Sequence, residues 1–246
     1  MKTFIHTSSL IILALAGCER HSSSDERIKV IENAQSIQSN STSHRQQAKD
    51  TLIYTNSCYF TDLSKSYNIN VKNSIRAKDT NDLLPKYNIQ VSIEDKNSGK
   101  EIQVFQIDPQ IMYEDFIKDC RTSTSDVTGV NARAEHGDGY FGELVVADLN
   151  ADSLEDLAVI NDAGGNSGPT YNFYLQTAQH TFELDKFLTD SMQFFPTEIK
   201  PGAHMLVTYG HSSAYASCQH KYVYDSRHKM WKEVSRRIVD DQHPAE

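Results

Sequence analysis

"GELVVADLNADSLEDLAVINDAGGNSGPTYNFYLQ", residues 142–176, decides how this chain is read. Two apolar runs, "LVVA" and "LAVI", flank a comb of carboxylates, and a Gly-rich segment then leads into alternating aromatics. Short apolar or alternating runs bounded by turn formers predict strands rather than helices. The stretch therefore predicts three consecutive strands joined by an acidic turn and a Gly-rich turn.

The same pattern extends outward in both directions. "TLIYTNSCYF", "YNINVK", "YNIQVSIED" and "KEIQVFQI" alternate apolar and polar residues before the stretch. "HTFELD", "AHMLVTYG", "HKYVYD" and "MWKEVSRRIV" do so after it. Asn97-Ser98-Gly99 supplies the residues of a tight hairpin turn, where a positive φ is needed. "PQIMYEDFIKDC", residues 109–120, has mixed spacing and reads as one short helix or a loop. Many short strands joined by turns imply a sandwich, a barrel or a propeller-like array. "YNFYLQTAQHTFEL" is echoed by "HKYVYDSRHKMWKEV", and this faint repeat favours the last. The expected fold is all-β: a propeller-like array of short antiparallel strands forming a single domain over residues 51–246.

Asp148, Asn150, Asp152 and Asp156 occupy positions 1, 3, 5 and 9 of the acidic turn. Alternate residues of a tightly curved loop turn their oxygens inward, and Leu154 at position 7 can add its carbonyl, so the spacing predicts a Ca2+ site. An EF-hand is excluded because Val159 stands where the bidentate Glu is needed and no helices flank the turn. Ser153 stands where such loops usually carry Gly, at a cost if the backbone adopts a positive φ. A pair of catalytic carboxylates would need room for a sugar between them, which oxygens gathered round one point do not leave. No nucleophile elbow, His-Glu-x-x-His or Ser-x-x-Lys motif is present, and the chain is read as a non-enzyme.

In "NDAGGNSGPTY" the glycines lack both the Lys-Ser/Thr of a phosphate loop and a following helix. The segment predicts a protruding loop, braced at its base by the neighbouring acidic turn, with Ser167 and Tyr171 at its tip. Phe173 is expected to be buried. His136, Asp138 and Glu143 are explained by a Gly-flanked turn before a strand. His211, Tyr215 and His220 outline a second possible contact loop.

The N-terminus carries Lys2, an apolar run and then "LAGC". Small residues before Cys18 form a lipobox, which predicts a lipoprotein signal peptide over residues 1–17 and acylation of Cys18. Glu19 rather than Asp follows, favouring anchorage in the periplasmic leaflet of the outer membrane. Residues 18–50 are rich in Ser, Gln, Asn and charge, and read as a flexible tether reaching roughly 30 Å. The formal net charge of −9 argues against nucleic acid or anionic lipid as a partner and favours a basic partner, with the membrane met through the lipid anchor only. Cys58, Cys120 and Cys218 stand in an oxidising compartment, where one disulfide and one remaining thiol are expected; the spacing does not select the pair.

The segment "VADLNADSLEDLAVINDAGGNSGPTYNFYL", behind a lipobox, resembles the periplasmic lipoprotein immunity proteins that neutralise peptidoglycan-hydrolysing effectors of bacteria-killing type IV secretion systems. Those proteins are propeller-like, bind calcium in a similar loop and are related in fold to periplasmic inhibitors of invertebrate-type lysozyme. The inhibitors insert a Ser-Gly-x-x-Tyr loop into the enzyme's cleft, and Ser167, Gly168 and Tyr171 match its named positions. The resemblance implies a periplasmic inhibitor of a lysozyme-like hydrolase; the alternative is a calcium-stabilised envelope scaffold or adhesion lipoprotein.

Overall fold

The computed structural model describes residues 52–77, 85–112, 122–134, 139–164, 168–213 and 216–240. The expected leader, Cys18 and the tether lie outside these residues, as does Cys120. No helix among the described residues is long and apolar enough to cross a membrane.

Three sheets account for the described strands. The first is the antiparallel meander β1 (Leu52–Phe60), β2 (Tyr67–Arg76), β3 (Lys86–Asp95) and β4 (Glu101–Ile107). The second runs β5 (Thr124–Ser125), β6 (Leu144–Ala147), β7 (Asp156–Asp162), β8 (Thr170–Gln176) and β9 (Phe182–Leu184), with β5 parallel to β6 and the remaining pairs antiparallel. The third is the meander β10 (Glu198–Lys200), β11 (Met205–Ser213), β12 (Ala216–Asp225) and β13 (Met230–Asp240). Among the described residues these sheets close neither a barrel nor a propeller ring. The repeat seen in sequence falls on equivalent hairpins, β8–β9 and β12–β13, each the last pair of its sheet. Helical structure in the described residues comprises one turn over 186–192, π-helical at Leu188–Met192, and a 3-10 turn, Pro201–Ala203.

Alternation explains the first sheet. Tyr67, Ile69, Val71 and Ile75 of β2 are buried, as are Tyr87, Ile89, Val91 and Ile93 of β3. Register sets Ile69 opposite Ile93 and Val71 opposite Val91, so one face is a continuous apolar surface. The central sheet differs, because every residue of β6 and the first five of β7 are buried. Such uninterrupted burial marks strands covered on both faces. The hairpin turn at Gly99 has φ +67, and the Asp95 carboxylate accepts the Asn97 and Ser98 amides and the Ser98 hydroxyl.

Neighbouring sheets join through specific contacts. Gln103 of β4 donates to the Phe182 carbonyl and accepts the Phe182 amide, both at 2.9 Å, so its side chain replaces a strand pairing between the first and second sheets. Phe182 meets the rings of Tyr67 and Phe105. Toward the third sheet, Phe187 lies edge-on to Tyr222. Cys58 and Cys218 are both buried and disulfide-bonded.

Candidate functional site

Both candidate loops hang on β7, one at each end. The acidic turn, residues 148–155, leads into it, and the Gly-rich turn leaves it. An antiparallel chain reverses at each turn, so about 20 Å of strand separates them. The expectation that the acidic turn braces the base of the Gly-rich loop is therefore corrected.

The acidic turn coils around its own side chains. Asp148 accepts the amides of Asp152 and Ser153 at 3.1 and 3.0 Å, and Asn150 Oδ1 accepts the Asp152 amide at 3.1 Å. Asp152 accepts the Leu154 amide at 2.8 Å and the Asn150 side-chain amide at 3.0 Å. Asp156 has no solvent exposure; its two oxygens take the amides of Leu149 at 2.8 Å and Gln176 at 2.9 Å. Burial pushes the Asp156 carboxyl up to about 8, opposed by those two amides and assisted by Asp152 and Asp148. Burial also raises Asp148. Three carboxylates that disfavour one another's charge, with an amide oxygen among them, form a donor set of the type a hard cation takes. Among the described residues no group of three or more His, Cys, Asp or Glu side chains is gathered closely enough to hold a metal by itself. Ala151 and Ser153 adopt positive φ, +59° and +71°, so Ser153 does occupy the conformation that favours glycine.

Glu155 was passed over in the sequence because it sits inside the acidic comb without fitting the ligand spacing. It is buried, and it accepts the Ser64 hydroxyl at 2.6 Å and the Lys65 and Ser66 amides at 2.7 and 3.2 Å. Its own amide donates to Gln176 Oε1 at 3.0 Å, and Gln176 Nε2 donates to the Tyr67 hydroxyl. On the other side, His204 Nδ1 lies 3.0 Å from the Asn150 carbonyl. The turn of the central sheet is thus held by the first sheet through Ser64–Tyr67 and by the third through His204. A cleft of about 630 Å³ opens beside it, lined by Lys65, Asp126, Arg133, Asp148, Leu154 and Ile199. Its wall charges pair internally: Arg133 meets Asp126 at 2.7 Å and donates to the Pro196 carbonyl at 2.8 Å. Burial raises Asp126 and lowers Arg133, and each offsets the other's shift.

At the opposite end of β7, Asp162 anchors the Gly-rich turn. One carboxylate oxygen accepts the Gly164 amide at 2.7 Å; the other accepts Gln110 and Ile111 at 3.2 and 3.1 Å. The Ala163 amide donates to the Ile111 carbonyl at 2.8 Å. Gly164 and Gly168 have φ +66° and +87°, and a Cβ on Gly164 would stand 1.9 Å from the Gly168 carbonyl oxygen. The loop is pinched at its neck, and only glycine permits that approach. Ser167 lies outside the described residues.

Tyr171 is not at the tip. It is fully buried on β8 with Phe173, as alternation along β8 requires for a pair two residues apart. Its amide donates to the Gln193 carbonyl at 2.8 Å. Its hydroxyl accepts the Phe141 amide at 3.0 Å and donates to the Gly142 carbonyl at 3.2 Å. The expectation of an inserting ring is corrected: strand pairing opposite Ile160 turns Tyr171 into the core, where it ties β8 to the lead-in of β6. Phe173 is buried as expected.

Glu143 is buried and accepts the Thr122 hydroxyl, a structural role consistent with the turn reading. His136 and Asp138 lie outside the described residues, as does Tyr215. His211 is exposed, and His220 Nδ1 lies 2.9 Å from Glu233. No protein-family model, curated protein or solved structure matches the chain.

Proposed function

We propose that this chain is a lipid-anchored periplasmic immunity protein whose three sheets are arranged like propeller blades, and that it inhibits a lysozyme-like peptidoglycan hydrolase delivered by a type IV secretion system. The loop at residues 164–170 meets the enzyme, with Ser167 and Gly168 as contact residues and Tyr171 as the buried post that fixes the following strand. The supporting observation is the loop's neck: the Asp162 anchor and the close approach of Gly164 to Gly168 fix the two ends of the segment that carries Ser167. A lysozyme-like hydrolase carries a protonated acid and a second carboxyl across a narrow cleft, and polar groups of a loop held at both ends can hydrogen-bond both. The chain's acidity suits a cationic, wall-degrading enzyme.

Ca2+ at the acidic turn would be held by Asp148, Asn150, Asp152, the Leu154 carbonyl and Asp156. Its contribution would be to relieve carboxylate repulsion in the turn that both flanking sheets grip. That position, remote from the Gly-rich loop, also favours the second reading, a calcium-stabilised envelope scaffold or adhesion lipoprotein.

The test is loss of turbidity of purified peptidoglycan by a lysozyme-like hydrolase, with and without the protein in calcium. Near-stoichiometric inhibition that weakens in Ser167→Ala and in Asp162→Ala supports the first reading. A folded, calcium-responsive protein that inhibits no such hydrolase supports the second.

A further inference from the structure

In an otherwise acidic chain, the edge of the third sheet carries a local excess of cations. Residues 225–240 carry five Lys and Arg residues against Asp225, Glu233 and Asp240, in a chain whose formal net charge is −9. They form the β12–β13 turn and β13, the outermost strand of its sheet among the described residues. Arg227 and Lys229 are exposed at the hairpin tip. Arg236 is held by Glu233 through two bonds of 2.9 and 3.0 Å, Lys232 lies 3.2 Å from Asp225, and Arg237 donates to Gln219 at 2.8 Å. Charged edge strands commonly guard against edge-to-edge association. That protection does not account for the aliphatic side chains set among these cations: Met230, Val234 and Ile238 are 48, 57 and 54 % exposed.

We infer that the β12–β13 hairpin is a docking edge for a bilayer surface bearing anionic phospholipid. Cations placed at such a surface contribute about 1 kcal/mol each, and exposed aliphatics beside them enter the boundary between headgroups and chains. A second copy of the edge would set cation against cation. The inference rests on the membrane-tethered part of the proposed function, in which an anchor at Cys18 would keep the domain near lipid.

The experiment is co-sedimentation of the chain from residue 18 onward, carrying Cys18→Ser so that no acyl chain contributes, with vesicles of phosphatidylcholine with or without phosphatidylglycerol. Binding should require phosphatidylglycerol and weaken with added salt. Each charge removed in Arg227→Gln and Lys229→Gln should weaken it by about five-fold. Both side chains are exposed at a turn, so the double variant should keep its fold, checked by circular dichroism. Val234→Ser should weaken binding without changing its salt dependence. Equal binding to both vesicles, binding to neither, indifference to the double variant, or tighter capture of polyglutamate than of anionic vesicles would each overturn the inference. Inhibition of a hydrolase in solution needs no bilayer, so failure here and failure of the proposed function are separate results.

Discussion

The Glu155 carboxylate accepts the Ser64 hydroxyl at 2.6 Å, although 91 positions separate the two residues. The same carboxylate gathers the next two amides of the β1–β2 turn, so one side chain of the central sheet fixes the first sheet's turn. Removing this acceptor strands the Ser64 hydroxyl and the Lys65 amide, while the Ser66 amide keeps Ser64 Oγ at 3.0 Å. Glu155→Ala should therefore destabilise the domain by about 3 kcal/mol, read as a lower urea midpoint. An unchanged midpoint would show that the first sheet does not depend on this link.

Ser153 is a non-glycine residue at φ +71°. Replacing it with glycine removes the clash of a Cβ with its own backbone, while the freer unfolded chain takes back part of the gain. Ser153→Gly should raise stability by about 0.5–1 kcal/mol and should tighten any calcium response of the melting temperature. A fall in stability would mean that the Ser153 side chain makes a contribution larger than its strain.

Tyr171 separates packing from hydrogen bonding. Tyr171→Phe keeps the ring between Phe173 and Phe195 but strands the Phe141 amide and the Gly142 carbonyl, and should cost about 1–2 kcal/mol. Tyr171→Ala adds a cavity and should cost about 3–5 kcal/mol. With the ring buried, the Phe variant should inhibit a target hydrolase as well as the parent chain does. A large loss of inhibition in a stable Phe variant would return Tyr171 to the contact surface.

Asp185 gives a pH signature. Burial holds its carboxyl above the ordinary range, although the amides of Leu188 and Phe187 and the Trp231 side chain oppose this. A carboxyl whose folded pKa lies above its unfolded one binds its proton more tightly when folded. The stability it contributes is complete below the unfolded value and is lost as pH rises through the folded one. Asp185→Asn removes this loss, so the variant should gain on the parent as pH rises from about 4 toward neutrality. Urea midpoints of both proteins across that range measure it, and a pH-independent difference would contradict the assignment.

Strand placement was legible because it depends on alternation, which is local: the eleven runs read from sequence all recur as strands, and β5 and β10, at two and three residues, are too short to show a period. The coil of the acidic turn was legible because the spacing of Asp148, Asn150 and Asp152 is also local. Tyr171 was misread because a motif gives position in the chain but not the face of a strand. The register opposite Ile160 sets that face, and it depends on residues outside the motif. Glu155, Gln176 and His204 carry no local signature, because each acts on a partner in another part of the chain.

Because β7 places its two turns at opposite ends, they meet different demands over evolutionary time. The acidic turn is gripped from both flanks, so insertions there would disturb three sheets at once. The Gly-rich turn is tied back by Asp162 at the far end of β7 from that grip, so a change there leaves the links among the three sheets in place.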